Sequence, residues 1–516
     1  RSFDHLLGYL YEDDAPSRFI PDGDRVFRGV AGRSDLGNYD DQEPPVFHPV
    51  TRAPYETLAD MNCPFPDPGE ELYPHMNHQI YGRDDVPGDP DTMPALPTVA
   101  PMSGFLTDYL RRCHQPWHVL PHQRAEERAR ATQILRCFPP QATPVLSGLA
   151  RAYAVSDAWF ASVPSQTYSN RSFLHAADSG GFVHNANYAK WAENHATTVF
   201  ERLEDRFGPR LGFRIYWDPL DKFPITRLIH RPLYDRRFDA AFCDMAAFER
   251  DCASGDLPAY AFIQPRVLMA NNDMHPAFFP GQTATSSILG GEALIARVYD
   301  ALRRGPRWAR TLLVLLFDEH GGTYDHVPPP GATPPHAAPP YELEQGFGFD
   351  RFGVRVPAVF ISPWIDPGTV LRAGGEVPFD HTSVIKTLCR RFGLASLTDR
   401  DRAAPDFKRQ CQRNPYDGSR ARDKPCFEVR ELARPGPGGF CLAKVKSVLV
   451  FLIDLCEGQD QVADVGLIAT LAGTKSVSIY PNMHRKKDGD GKSVPILLLA
   501  SLDRLFLFGT SRGRRM

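Results

Sequence analysis

Three short runs of almost purely apolar residues, 259–263, 312–317 and 357–361, limit most strongly what this chain can fold into. Each run is bounded by proline, glycine or charged residues, and its apolarity is continuous rather than alternating, which is typical of strands covered on both faces. Apolar residues recur at helical spacing over 294–302 and 384–392. Strands that alternate with helices predict an α/β fold, a sheet with helices on both faces.

The length, charge and apolar runs of the chain indicate how many domains it has and which partners it attracts. Its 516 residues exceed a typical domain, so we expect one large domain with additions, or two domains. A formal net charge of -3 gives no bulk attraction to nucleic acid or to an anionic membrane. The longest apolar runs, 447–456 and 495–508, fall short of the ~20 residues of a spanning helix, so we expect no integral membrane segment.

The regularity of the pattern changes along the chain. Residues 13–143 are rich in proline, aspartate and histidine, which predicts long loops with short helices, such as one over 104–112. The half-proline segment 327–340 predicts another loop insertion. Beyond about residue 400 the sequence becomes basic and irregular. We predict a catalytic domain over 1–400 and a C-terminal extension of unknown role over 401–516.

Two adjacent carboxylates, Asp318 and Glu319, directly follow the apolar run 312–317, and Gly321 and Gly322 come next. Ligand sites in open α/β sheets form beyond the carboxyl ends of strands, and the two glycines let other backbone pass closely. Carboxylate oxygens are hard ligands that suit a divalent cation. The pair indicates a metal site, but alone it is equally typical of a strand that ends in a turn.

Residues 164–171 predict a polar turn with hydroxyl groups, an amide and a guanidinium, and Thr167 lies within it. Such groups allow attack on phosphorus with stabilisation of the developing negative charge. A free alcohol is a poor nucleophile, so a metal or a base must activate it. The stretch Asn170-Arg171-Ser172 also spells a glycosylation sequon, which often arises by chance.

Several histidines lie in polar segments. His275 and His75 are in predicted loops, and His381 stands just before the predicted helix 384–392. Histidine can contact phosphate, ligate a metal or donate a proton near neutral pH, although a lone loop histidine is more often solvated. Next to His381, Asp380 or Thr382 is most simply interpreted as a helix N-cap.

The order of these motifs resembles the phosphoesterase family of bacterial phosphatidylcholine-type phospholipases C, their plant non-specific relatives and related acid phosphatases, over residues 1–395. The resemblance rests on Arg1-Ser2-Phe3-Asp4-His5, Thr167-Tyr168-Ser169-Asn170-Arg171, Asn272-Asp273-Met274-His275-Pro276, Asp318-Glu319 with Gly321-Gly322 and Tyr324-Asp325-His326, and Asp380-His381-Thr382-Ser383-Val384. It implies an alkaline-phosphatase-like fold with a mostly parallel central sheet, a covalent phospho-enzyme and a divalent metal ion.

The resemblance also assigns roles to residues. It implies that Thr167 is the nucleophile and His275 a second catalytic residue, the proton donor or phosphate clamp. The expected substrate-binding residues are Asn170, His75, Arg171 and His381, and the expected metal ligands are Asp318 and Glu319, with the identity of the metal left open. The family carries a Glu-Asn pair of metal ligands immediately before Arg-Ser-Phe-Asp, so we expect that pair to be encoded upstream of Arg1.

The resemblance implies a phosphoric ester hydrolase of phospholipase C type that acts on a phospholipid or small phosphate ester through a phospho-threonine. Two alternatives stay open: an acid phosphatase on soluble phosphomonoesters, and a non-catalytic phosphate- or lipid-binding relative. A sulfatase-type hydrolase is disfavoured because no Cys-x-Pro-x-Arg motif is found. The export of many relatives predicts a secreted or periplasmic location. Pairing of Cys243 with Cys252, or of Cys411 with Cys426, is neither required nor excluded.

Overall fold

The computed structural model describes residues 1–53, 67–83, 99–113, 124–186, 188–276 and 287–407, and four short strands beyond them. The chain divides into two units, Arg1–Phe440 and Cys441–Met516. In the second unit, Val450–Phe451 pairs with Leu467–Ile468, and Lys486–Lys487 pairs with Ser493–Val494, both antiparallel. The predicted boundary near residue 400 stays a prediction.

The strands of the first unit are short. They are β1 (Arg18–Ile20), β2 (Gly37–Tyr39), β3 (Phe47–Pro49), β4 (Thr51–Arg52), β5 (Arg136–Cys137), β6 (Ala154–Ser156), β7 (Trp159–Phe160), β8 (Phe213–Trp217), β9 (Phe242–Asp244), β10 (Tyr260–Ile263), β11 (Leu313–Leu316), β12 (Ala358–Ile361), β13 (Thr369–Leu371) and β14 (Phe379–Asp380).

The helices vary more in length. They are α1 (Phe3–Leu7), α2 (Asn77–Tyr81), α3 (Phe105–Cys113), α4 (Arg124–Ala131), α5 (Pro144–Ala152), α6 (Thr167–Ala176), α7 (Val199–Phe207), α8 (Ile225–Leu228), α9 (Met245–Ser254), α10 (Ser287–Arg304), α11 (Thr382–Phe392) and α12 (Asp399–Ala403). Helices α3, α10 and α11 confirm the three that the sequence predicts. Among the described residues, no helix has the length and apolarity to cross a bilayer.

The central sheet has five strands in the order β1-β13-β6-β12-β11. The pairs β1/β13 and β13/β6 are parallel, whereas β12 runs antiparallel to both of its neighbours. Four strands therefore share one direction and one opposes them, which confirms a mostly parallel central sheet in an α/β fold.

The three predicted strands all form, but they do not lie in one sheet. Strands β11 and β12 are neighbours in the central sheet, whereas β10 pairs in parallel with β8 in a second sheet of order β10-β8-β9. Strand β12 is buried throughout, but β10 and β11 are only half-buried. A continuous apolar run thus predicted a strand correctly and its burial only in part.

A buried ion network fixes the start of the chain to the region after β11. Arg355 donates from Nη2 to Asp4 Oδ1 and from Nε to Asp325 Oδ1, each at 2.8 Å, and all three side chains are fully buried. The backbone N–H of His326 also donates to Asp4 Oδ2 at 2.7 Å. The segment of α1 is thereby held beside the turn that follows β11.

The N-terminus of α5 is capped from another helix. Glu292 of α10 accepts the backbone N–H groups of Val145 at 2.6 Å and Leu146 at 3.0 Å. These are donors that have no intrahelical partner at a helix start, and the side chain of Thr143, the N-cap residue, contacts Ser147 Oγ at 3.0 Å and does not cap them. Burial raises the pKa of Glu292 to about 7, although the two N–H groups oppose that rise.

Replacing Glu292 by alanine should lower the free energy of unfolding by about 2–4 kcal/mol, because two buried N–H groups lose their acceptors. Urea denaturation measures the change. The control is Glu249→Ala, which removes an exposed carboxylate whose ion pair with Arg297 is worth less than about 1 kcal/mol. Equal effects of the two substitutions would contradict the capping role.

Candidate active site

Thr167 is the first residue of helix α6, with Gln166 as the N-cap. The predicted polar turn over 164–171 is therefore wrong in its second half, where the chain is already helical. Gln166 is not used as a side-chain cap, and the Tyr168 N–H donates instead to Asn185 Oδ1 at 2.9 Å. The Thr167 hydroxyl thus lies at a helix end that favours negative charge.

Asn170 holds the loop before α6. Its amide nitrogen donates to the carbonyls of Val163, Ser165 and Gln166, and its Oδ1 accepts from Val163 N–H at 2.9 Å. The side chain is fully buried. Asn170 is therefore placed as a support of the Thr167 turn, not as a wall of the cavity described below, and a buried asparagine cannot serve as a glycosylation acceptor.

Arg171 lies one helical turn after Thr167, on the same face of α6. Its Nε donates to Asp318 Oδ2 at 2.8 Å. Burial raises the pKa of Asp318, but Arg171 more than offsets this, so the pKa lies below its ordinary value. The ion pair thus joins the helix of the predicted nucleophile to the end of β11.

His381 lies behind Asp318. Its Nε2 donates to the backbone carbonyl of Asp318 at 2.7 Å, and its Nδ1 accepts from Trp159 Nε1 at 3.2 Å. Burial lowers the pKa of His381, which agrees with a neutral ring in this arrangement. The helix prediction is also corrected here: the N-cap is His381, and Asp380 ends β14 and accepts from the Thr382 hydroxyl at 2.6 Å.

The two glycines after Glu319 make the tight turn that the sequence predicts. Gly321 and Gly322 have φ of 60° and 63°, in the left-handed region. A Cβ on Gly322 would lie 2.3 Å from Pro68 Cβ. The turn therefore passes directly against the segment that carries Asp67 and Glu70.

His275 is surrounded by carboxylates. Its Nε2 lies 3.2 Å from Glu70 Oε1 and 4.0 Å from Glu319 Oε1, and its Nδ1 lies 3.8 Å from Asp67 Oδ1. Burial disfavours the charged ring, but Glu70 and Asp67 prevail and raise the pKa of His275 well above its ordinary value. Burial and the charge of Glu70 raise the pKa of Glu319 to about 8.

The N-terminal amino group of Arg1 lies close to Glu319. It donates to the backbone carbonyl of Glu319 at 2.9 Å, and the guanidinium Nε donates to Met274 O at 2.7 Å. Burial lowers the pKa of this amino group. Arg1 thus connects the segment of His275 to that of Glu319.

These groups open onto one cavity of about 730 Å³. Of the predicted site residues, those that line it are Thr167, Arg171, His275, Asp318 and Glu319. Asn170, His75 and His381 are not among its lining residues. His75 instead hydrogen-bonds Asp108 Oδ1 through Nδ1 at 2.9 Å.

Two carboxylates that the sequence analysis missed, Asp67 and Glu70, also line the cavity. Their signal was present, because Asp67-Pro68-Gly69-Glu70-Glu71 combines acidic residues with turn residues as the segment after β11 does. Burial raises the pKa of Asp67 well above its ordinary value.

The donor set fits a divalent cation. Asp67, Glu70 and His275 place ligand atoms within 4.8 Å of one another. Asp67 Oδ1 is buried and accepts no hydrogen bond within the described part of the chain, and buried Glu70 Oε1 has the contact with His275 at 3.2 Å. Buried carboxylate oxygens without donors are costly unless a cation compensates them.

The chain is similar in sequence to known phosphoesterases over most of its length. A profile of the Phosphoesterase family matches residues 1–395. Non-specific phospholipase C5 of Arabidopsis thaliana is 33% identical over 432 residues, which cover 80% of this chain and 72% of that protein. Non-specific phospholipase C3 of the same plant is 33% identical over 418 residues, covering 78% and 69%. Non-hemolytic phospholipase C of Pseudomonas aeruginosa is 28% identical over 305 residues, covering 52% and 41%.

Fold, cavity and relatives together define a hydrolase of phosphate esters. The chain belongs to the Phosphoesterase family, as the order of its motifs predicts.

Gly322→Ala should lower the free energy of unfolding by about 3 kcal/mol or more, because a left-handed φ and an overlap with Pro68 act together. The matched control is Gly393→Ala. Gly393 has a φ of 69° but nothing within 4 Å of an added Cβ, so its cost is about 1–2 kcal/mol. Urea denaturation measures the free energy of unfolding of both variants. Equal losses would show that the segment 67–71 does not contact the turn closely enough to exclude a Cβ at position 322.

Proposed function

We propose that this chain is a phospholipase C-like hydrolase that cleaves a phospholipid head group, or a related phosphate ester, through a phospho-threonine. The observation that carries the proposal is that Thr167, at the N-terminus of α6, lines the same cavity as Asp318, Glu319 and His275. The names of the relatives support the choice of a phospholipid.

In the proposed mechanism the phosphate enters at the N-terminus of α6, where the positive end of the helix dipole and the Arg171 guanidinium attract its charge. Thr167 Oγ1 attacks phosphorus and its hydroxyl proton passes to an ionised carboxylate of the cavity, for which Asp318 is the candidate. An oxygen–phosphorus bond forms, and the bond to the glycerol oxygen breaks. His275, held protonated among carboxylates, gives its proton to the leaving oxygen. Water then hydrolyses the phospho-threonine and restores the hydroxyl.

Asn170, His75 and His381 do not line the cavity. We propose that they position other residues of the site. Asn170 fixes the turn before Thr167, and His381 fixes the backbone of Asp318. The described contacts of His75 with Asp108 and Glu71 support an indirect role as well.

A divalent ion would be held by Asp318 and Glu319, with Asp67 and Glu70 beside them. Such an ion would neutralise negative charge on the phosphate and would make the Thr167 hydroxyl a better nucleophile. The proposal also includes an alkaline-phosphatase-like fold, for which the mostly parallel central sheet is the supporting feature. A secreted or periplasmic location stays a prediction.

Thr167→Ala should abolish hydrolysis of p-nitrophenylphosphorylcholine, by about a thousandfold or more, because the nucleophile is lost. The matched control is Ser169→Ala, which removes a hydroxyl from the same helical turn that donates to Gln166 O and does not line the cavity. Full activity of Thr167→Ala would exclude the phospho-threonine.

Comparison of the two substrates distinguishes the alternative functions. Faster hydrolysis of p-nitrophenyl phosphate than of p-nitrophenylphosphorylcholine would favour an acid phosphatase over a phospholipase C, and absence of turnover on both would favour a non-catalytic binding relative.

Divalent ions should raise the thermal midpoint of chelator-treated protein, because an ion that binds only the folded state stabilises it. Asp318→Asn should reduce that shift for manganese, zinc, calcium and magnesium. Asp366→Asn is the control, since Asp366 pairs with Arg18 and does not line the cavity. An unchanged shift in Asp318→Asn would remove this residue from the ligand set.

A second arm of that experiment adds Glu-Asn before Arg1. The Arg1 amino nitrogen is buried beside Glu319 and Arg1 lines the cavity, so residues added there enter it next to the carboxylates. We expect tighter binding of the ion by the extended chain than by one extended with Gln-Ala.

A further inference from the structure

Several large apolar side chains are exposed around one side of the cavity. Leu220 and Phe223 are 49% and 43% exposed, and Leu268 and Met269 are 51% and 38% exposed. Tyr188 is 60% exposed. We call these five residues the apolar rim. Single exposed apolar residues are ordinary on a protein surface, so the question is whether the rim is one surface.

Direct hydrogen bonds hold the two loops of the rim together. Asp221, which is buried between Leu220 and Phe223, accepts the backbone N–H groups of Val267, Leu268 and Met269 at 2.8, 3.1 and 3.0 Å. These loops follow β8 and β10, which are parallel neighbours. Their apolar side chains therefore lie at the same edge of the second sheet.

The rim is continuous with the cavity. Leu268 and Tyr188 are exposed to solvent and also line it. Ile225 and Tyr168 also line the cavity and belong to one buried apolar cluster with Trp191, against which Val267 packs. The Tyr188 and Tyr168 rings lie 5.8 Å apart. A path of apolar side chains thus runs from the cavity to the exposed rim.

We propose that the apolar rim binds the surface of a phospholipid bilayer or micelle, so that a head group enters the cavity while the acyl chains stay in the lipid. This inference rests on the proposed function. A phospholipid substrate is anchored by its acyl chains, and the phosphate reaches the cavity only if the mouth of the cavity meets the lipid surface.

The charge of the rim is compatible with such a surface. Lys222 is exposed between Leu220 and Phe223, whereas the neighbouring Asp221 is buried and occupied by backbone donors. Asp218 is paired with Arg266 at 2.6 Å. A lysine among aromatic and aliphatic side chains is typical of interfacial segments, because its ammonium group meets lipid phosphates.

The test uses the full chain with phosphatidylcholine vesicles. The variant Leu220→Ser/Phe223→Ser/Met269→Ser changes three rim residues that do not line the cavity. We expect its sedimentation with vesicles and its hydrolysis of vesicle lipid to fall by at least about tenfold. Hydrolysis of soluble p-nitrophenylphosphorylcholine should change by less than about twofold.

The matched single substitutions are Leu220→Ser and Leu211→Ser. Leu211 is 66% exposed and precedes β8, at the opposite end of the strand from Leu220. Leu220→Ser should weaken sedimentation and Leu211→Ser should not. Equal effects of the two, an unaffected triple variant, or a wild-type chain that does not sediment overturns the proposal. Sedimentation without turnover on any substrate would contradict the proposed function alone.

Discussion

The shared guanidinium of Arg355 is the interaction on which the site depends. It lies fully buried between Asp4 and Asp325, and its Nη1 donates to the carbonyls of Asp157 and Arg28. Burial raises the pKa of Asp325 to about 6, against the opposing effect of Arg355. An arginine stays charged in such a place, so removing either carboxylate leaves a buried charge less compensated. The start of the chain and the turn after β11 are therefore held together, and with them Arg1 and Glu319.

The cavity carries two carboxylates in opposite electrostatic environments. Asp318 is paired with Arg171 and its pKa is lowered, whereas burial and Glu70 raise the pKa of neighbouring Glu319 to about 8. The two adjacent residues differ because Asp318 hydrogen-bonds the Arg171 guanidinium at 2.8 Å, whereas Glu319 is buried beside the carboxylate of Glu70. Crowding of buried carboxyl groups around Glu319 and Glu70 costs stability in the folded protein, and a bound cation would relieve that cost.

The sequence predicted the parts of the fold that depend on local pattern. Helix α10 follows from apolar periodicity, strands β11 and β12 follow from continuous apolar runs, and Asp318 follows from its position after a strand. The sheet to which β10 belongs was not predictable, because pairing with β8 is decided by tertiary contacts. The same reason explains His75: its residue type fits a phosphate pocket, but a hydrogen bond to Asp108 directs it elsewhere.

The two sheets supply different groups to the site. The end of β11 in the central sheet supplies Asp318 and Glu319, which in the proposed mechanism act on a phosphate whatever group it carries. The loops after β8 and β10 in the second sheet supply four residues of the apolar rim, Leu220, Phe223, Leu268 and Met269, which in the proposal meet the lipid around the phosphate. Helix α6 lies at the boundary, with Thr167 in the cavity and Tyr168 in the apolar cluster. Substitutions in the second set of loops can therefore change the physical state of the substrate that the protein accepts without altering the groups that carry the chemistry.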